Sequence, residues 1–389
     1  MKRVAFLLTA LTLSGGLQAK SVSWHGYVSQ GLTQSKGSRF ITDNDDITAE
    51  LTELGINGRY DMNPSISLVG QLVYLDGGNR YDQGTRLDYL FVDWSLPEVA
   101  GWDPQLHIGR FKNRHWLYSA TRDVPQTRAT AVLPQSVYFD IFRDIALGSD
   151  GIQAQAKRFT DDSIWEVIWS YGRSELSDEQ QDTLLSSLAQ GEADQDFVHQ
   201  FSVYWQPSDM SWRVGLSGLS SEFSYDAADA DPILDGNVEV KRLMLSMQYF
   251  SENWEFSSEI LREYQTYQGL FSTDFYQSGV GEGGYAQFRY LLNSDVSVLL
   301  SYDVYYPDRN DRDGTRLVEQ SGGLLPDYLG YMRTRTVGFR WDIAPNWRFQ
   351  AEHHWVNGTA RAQSILNPVL SGHNQEAWRM WAAQLMYWF

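Results

Sequence analysis

Apolar and polar residues alternate with a period of two along most of this chain, most plainly at its end. In residues 377–389, Phe389, Tyr387, Leu385, Ala383 and Trp381 form one apolar stripe, and Trp388, Met386, Gln384, Ala382 and Met380 form a mixed one. Such a period predicts a strand whose two faces meet different surroundings. A free edge this apolar would invite aggregation. A strand that closes a barrel in lipid has no free edge, and its aromatics belong at the membrane interface.

The same alternation predicts about sixteen strands, at 21–34, 47–61, 66–75, 86–95, 105–116, 145–157, 163–172, 197–206, 212–224, 238–250, 254–267, 284–292, 296–306, 331–343, 347–357 and 376–389. Their connections follow a rhythm. Tight turns rich in Asn, Asp, Ser and Pro (62–65, 159–162, 207–210, 251–253, 293–295, 344–346) alternate with long polar segments, 96–104 being of medium length. The long ones are 35–46, 76–85, 117–144, 173–196, 225–237, 268–283, 307–330 and 358–375. The expected fold class is all-β: a transmembrane antiparallel up-and-down β-barrel with short periplasmic turns and long extracellular loops.

The second stripe of several strands carries charge, as in Val296 to Tyr305 or Arg242 to Tyr249. Buried in a protein core, those charges would cost several kcal/mol each, so the interior is expected to be water-filled. The expected inward cations are Arg59, Arg110, Lys112, Arg114, Lys157, Arg213, Arg242, Arg289, Arg340 and Arg348. The expected inward acids are Glu53, Asp88, Glu166, Glu255, Glu259, Asp303, Asp342 and Glu352, ten against eight.

Composition fits this picture. Aromatic residues are 14% of the chain, with 15 Trp and 22 Tyr, as interfacial girdles need. The mean hydropathy of −0.40 suits strands in which only alternate residues are apolar. The net charge of −18 becomes −20 without Lys2 and Arg3, which argues against nucleic acid as a partner. Near balance in the lumen puts most of the acidity in the loops, at 42–46, 226–231 and 308–313. Solvated charge explains those runs better than cation bridging to lipopolysaccharide, since Arg312 stands where a calcium loop needs an oxygen. Lys2 and Arg3, the apolar run 4–13 and Ala19 read as a signal peptide over 1–19, leaving 20–389 as one barrel domain. No cysteine is present. Ser177-Asp-Glu-Gln180 resembles a capping box for a short helix on the barrel rim.

The terminal strand resembles that of bacterial outer-membrane β-barrels, which typically finish on Phe, here Phe389. A second likeness lies in 109–145, after the fifth strand. In general porins the third loop folds back into the barrel, and this segment has the same ordinal position. It carries Arg122, Arg128 and Arg143 against Asp123, Asp140 and Asp144, with Val132, Leu133, Val137, Tyr138 and Phe139 as apolar bulk. The resemblance implies a constriction loop at 119–144, the alternative being an outer loop packed on a neighbouring barrel. A register shift at Gly109 would turn Phe111 outward and Arg110, Lys112 and Arg114 inward as a basic ladder favouring anions; pairing with acids such as Asp88 is the plainer alternative. The resemblance further implies the outer membrane of a Gram-negative bacterium, contact with lipid and lipopolysaccharide, passive diffusion of small hydrophilic solutes, and, commonly, homotrimers. No cofactor is expected. Without an H-E-x-x-H motif, a G-x-S-x-G elbow or cysteine, an enzyme is not expected. The rival reading is a barrel acting as adhesin or scaffold through its acidic loops.

Overall fold

The computed structural model describes residues 21–389 apart from 82, 141–142, 177–179, 182–184, 186–188, 230 and 363–373, and apart from the side chains of 144 and 145. The signal peptide and most of the capping box therefore lie outside the described residues. Sixteen antiparallel strands pair in chain order, and β1 (Val22–Lys36) meets β16 (Ala377–Trp388) to close the barrel. The first half comprises β2 (Thr52–Asn63), β3 (Ile66–Asp76), β4 (Gly84–Ser95), β5 (Asp103–Lys112), β6 (Gly148–Phe159), β7 (Ser163–Arg173) and β8 (Glu192–Pro207). The second comprises β9 (Trp212–Asp226), β10 (Gly236–Phe250), β11 (Trp254–Gln268), β12 (Tyr276–Leu291), β13 (Val296–Tyr306), β14 (Met332–Ala344) and β15 (Trp347–Gly358).

The outer face is the apolar one. Leu385, Leu300, Leu243, Ile260, Trp169 and Phe201 are all exposed, while Met386, Gln384 and Ala382 on the other face of β16 are buried. Closure pairs Tyr27 with Trp388 through to Lys36 with Arg379, further along β1 than the expected 22–29. The fifth strand stops at Lys112 instead of running to residue 116, because the chain there leaves the wall and turns inward. The twelfth starts at Tyr276, eight residues before the expected 284.

The interior departs from the expected wet lumen. Trp116, Val132, Leu133, Val137 and Tyr138 join Met244, Leu261, Tyr285, Tyr305, Met332, Val356 and Met380 from the inner wall in one buried apolar cluster. Alternation predicts polar stripes inside, and in the long-connection half of the barrel the inward segment instead packs an apolar cluster against part of the inner wall.

Candidate functional site

Asn113 sets the inward turn. Its backbone N–H donates to the Leu147 carbonyl (2.8 Å) and its side-chain amide to the carbonyls of Ala146 (3.1 Å) and Gly148 (3.3 Å), while its Oδ1 accepts from Ser149 Oγ (3.1 Å). The departing and returning ends are thus stapled together, and the segment between them projects from one side of the wall.

Carboxylates on four strands hold that segment. Glu352 of β15 accepts the N–H groups of Ala131 (2.7 Å) and Val132 (2.9 Å). Asp303 of β13 faces the Ser136 N–H (3.4 Å), and Glu53 of β2 pairs with Arg128. Glu259 of β11 accepts from the Leu117 N–H (3.0 Å), Ser246 Oγ (2.8 Å), the Tyr285 hydroxyl (3.1 Å) and the Tyr138 hydroxyl. Bonds to an ionised acceptor are about twice as strong as neutral ones, and a charge left unpaired at such depth costs about 3–5 kcal/mol.

The structure sends the charged residues singled out by sequence to three different places. Arg122 meets Asp140 (2.5 Å), which also faces Arg80 (3.5 Å); Arg143 meets Asp123; and Lys112 lies between Asp88 and Asp123 (2.6 Å to the latter). With Arg128 and Glu53 these side chains are only 3–7% exposed. Burial alone would raise the Asp123 carboxyl, but Arg143 and Lys112 beside it hold it well below the ordinary carboxylate range. These groups fasten the segment and do not form an open charged rim. The side chain of Asp144 lies outside the described residues.

Arg110 is not on the lumen face. Pairing of β5 with β6 runs without a slip from Asp103–Lys157 to Lys112–Gly148, so the expected register shift at Gly109 (φ 126°) does not occur. Ile108 and Ile152 are opposite each other and face out, 45% and 44% exposed. Two residues on, Arg110 pairs with Asp150 (2.9 Å) on the same outer face, and Phe111 is buried on the inner one. The irregularity sits instead in β4, where Asp88 is the extra residue between Leu87 and Tyr89. Because the chain turns inward after Lys112, the β4–β5 ladder ends at Leu90–Arg110, and a recess of about 350 Å³ opens there between Arg110 and Asp123. Arg110→Ala is therefore expected to leave the reversal potential of a reconstituted channel unchanged, which a salt-gradient measurement in planar bilayers checks.

Arg114 faces the lumen and belongs to a second tier of charge nearer the short turns. Here Arg59 meets Asp61 (2.8 Å) and Asp93 (2.9 Å), Arg289 meets Glu255, and Arg340 (2.8 Å) and Arg348 (2.5 Å) share Asp342. Arg114, Lys157 and Arg213 share Glu166. Seven cations meet five carboxylates in these pairs; nine of the twelve side chains are 17–46% exposed, while Asp93, Arg348 and Glu166 are at 7–10%. Asp103, opposite Lys157, makes the acids six. Periodicity gave no reason to single out Arg361, which lies between the Phe139 and Tyr305 rings (4.4 and 3.7 Å to the centroids) and reaches Glu263 (3.3 Å). Its place depends on a long connection folding onto the interior segment.

Solved outer-membrane barrels share this fold. The chain is similar to the OmpF porin of Salmonella typhi solved with daunomycin (TM-score 0.59, 11% identity, 95% of this chain and 98% of that one). It is also similar to the outer-membrane channel DcaP of Acinetobacter baumannii (0.58, 10%, 96% and 99%) and to an anion-selective porin from Comamonas acidovorans (0.57, 10%, 95% and 100%). At these identities the likeness establishes the architecture. No protein-family model matches the chain, and no curated protein matches it in sequence.

Proposed function

We propose that this protein is a Gram-negative outer-membrane channel for passive diffusion of small hydrophilic solutes, with a preference for anions. The reading rests on one observation above all: the partly exposed charge of the inner wall lies mostly in the second tier, where cations outnumber carboxylates. A wall of one prevailing sign enriches counter-ions in a narrow aqueous path. Residues 119–144, held across the interior by Glu53, Glu259, Asp303 and Glu352, act as the constriction. Residues 1–19 act as the export signal, placing the short turns in the periplasm and the acidic connections outside, against lipopolysaccharide. One structure with this fold, OmpT of Vibrio cholerae, is described as a trimer form, which supports a homotrimer here.

Purified, folded protein in planar bilayers is expected to give discrete conductance steps. Under a KCl gradient the reversal potential is expected to have the sign of chloride permeation. Absence of steps would favour an adhesin or scaffold, and a cation-selective potential would overturn the anion preference.

A further inference from the structure

Lys157, Glu166, Tyr204 and Gly215 lie directly opposite one another across β6, β7, β8 and β9. Glu166 sits low in the wall, its side chain 10% exposed, and three cations converge on it. Arg114 reaches Oε1 at 3.1 Å, Lys157 reaches the same oxygen at 3.5 Å, and Arg213 reaches Oε2 at 3.6 Å. Those cations are 23%, 46% and 28% exposed respectively, so their lumen side stays accessible.

The cluster is built and not a chance meeting of long side chains. Arg114 is aimed by its bond to Gln155 Oε1 (2.7 Å), and its carbonyl accepts from Ser202 Oγ (3.0 Å) and the Tyr204 hydroxyl (3.4 Å). The Tyr204 ring lies flat on the wall because Gly215 opposite has no side chain; a Cβ there would collide with the ring. The Arg213 guanidinium rests over that ring, 4.7 Å from its centroid, a placement that fixes a cation. Counting Asp103 opposite Lys157, three cations still exceed two carboxylates.

We infer that this cluster is a binding station for a divalent oxyanion (sulfate, hydrogen phosphate or a small dicarboxylate). The inference rests on the channel reading. Glu166 shows that one oxyanion can engage all three cations, and it leaves donors unused: an ammonium has three protons and each guanidinium five. A tetrahedral or planar oxyanion on the lumen side can take bonds from several of them, whereas chloride gains charge attraction without that geometry.

Sulfate is the probe, because it stays divalent across the usable pH range. Added to channels in KCl, it is expected to reduce the single-channel current in a saturable manner. Lys157→Gln with Arg213→Gln should raise the half-blocking concentration about tenfold or more, as the loss of hydrogen bonds to a charged group implies. Gly215→Leu, which changes no charge but displaces Tyr204, should shift it in the same direction. Arg340→Gln, in the separate Asp342 cluster, should leave it within about twofold, as expected for additive, distant sites. An equal shift from Arg340→Gln would show a general field effect and overturn the station. Conductance steps unaffected by sulfate would overturn the station alone, while absence of steps would overturn the channel reading beneath it. Each variant is first checked for a folded, heat-modifiable band on a gel.

Discussion

A chain in which residues 119–142 are replaced by a short glycine–serine linker is expected to conduct several-fold more current per channel and to shift towards cation permeation. The conductance change follows from volume. Val132, Leu133, Val137 and Tyr138 occupy the middle of the barrel in the buried apolar cluster, and removing them widens the narrowest part of the path. The selectivity change follows from charge. The excised stretch contains Arg122 and Arg128 but also Asp123 and Asp140, so its own balance is zero. What changes is the wall: Glu53, Glu259, Asp303 and Glu352 lose their partners in the segment and turn towards water. On the basic side Arg80 and Arg143 lose Asp140 and Asp123, whereas Lys112 keeps Asp88, so acids prevail on the newly wetted surface. Single-channel recording in KCl and the reversal potential under a salt gradient measure both effects. An unchanged conductance would mean that the segment does not limit flow.

A point substitution separates anchoring from bulk. Glu259→Ala leaves the Tyr138 hydroxyl and the Leu117 N–H without their shared acceptor, at a cost of about 1–3 kcal/mol for each buried group left unsatisfied. The segment should then fluctuate, giving noisier open-channel current. Glu259→Gln, which keeps an acceptor oxygen, should be quieter.

Sequence carried the architecture further than it carried the site, and particular strands show why. Val296 to Tyr306 or Trp254 to Gln268 announce themselves because lipid demands alternate apolar residues on one face. The start of β12 was hidden because Gln277, Ser278, Gly279 and Gly281 carry no apolar signal, although the backbone pairs there as regularly as elsewhere. The end of β5 was overrun for the opposite reason: Trp116 continues the pattern, yet it serves the interior core. Site residues were harder still. Whether Arg110 faces in or out turns on a single-residue register at Gly109, which flips every later side chain. Which acids remain wet depends on where the inward segment docks. Glu259 and Glu166 read alike in sequence, yet one bolts the segment in place and the other lies beneath three exposed cations.

Removing residues 377–389 is expected to abolish folding in detergent or lipid, and removing Phe389 alone should lower the barrel's thermal resistance while leaving it closed. Loss of β16 opens two strand edges, on β1 and β15, where ten and eleven residue pairs now stand. In hydrocarbon each unsatisfied backbone group costs several kcal/mol, far more than a domain's net stability can absorb. Phe389 contributes at one end of that seam. Its N–H donates to the Gly26 carbonyl (3.0 Å), its own carbonyl accepts from the Gly26 N–H (3.1 Å), and its ring meets Trp24 edge-on at 5.4 Å. The ring lies over Gly26 so closely that a Cβ there would fall 2.5 Å from it. Gly26→Val should therefore mimic removal of Phe389 without shortening the chain, by forcing the ring off the seam. The readout is the temperature at which the folded, fast-migrating band converts to the unfolded one on an unboiled gel. Equal conversion temperatures for the native chain, Gly26→Val and the chain lacking Phe389 would show that closure rests on the backbone ladder alone, with no share for the terminal ring.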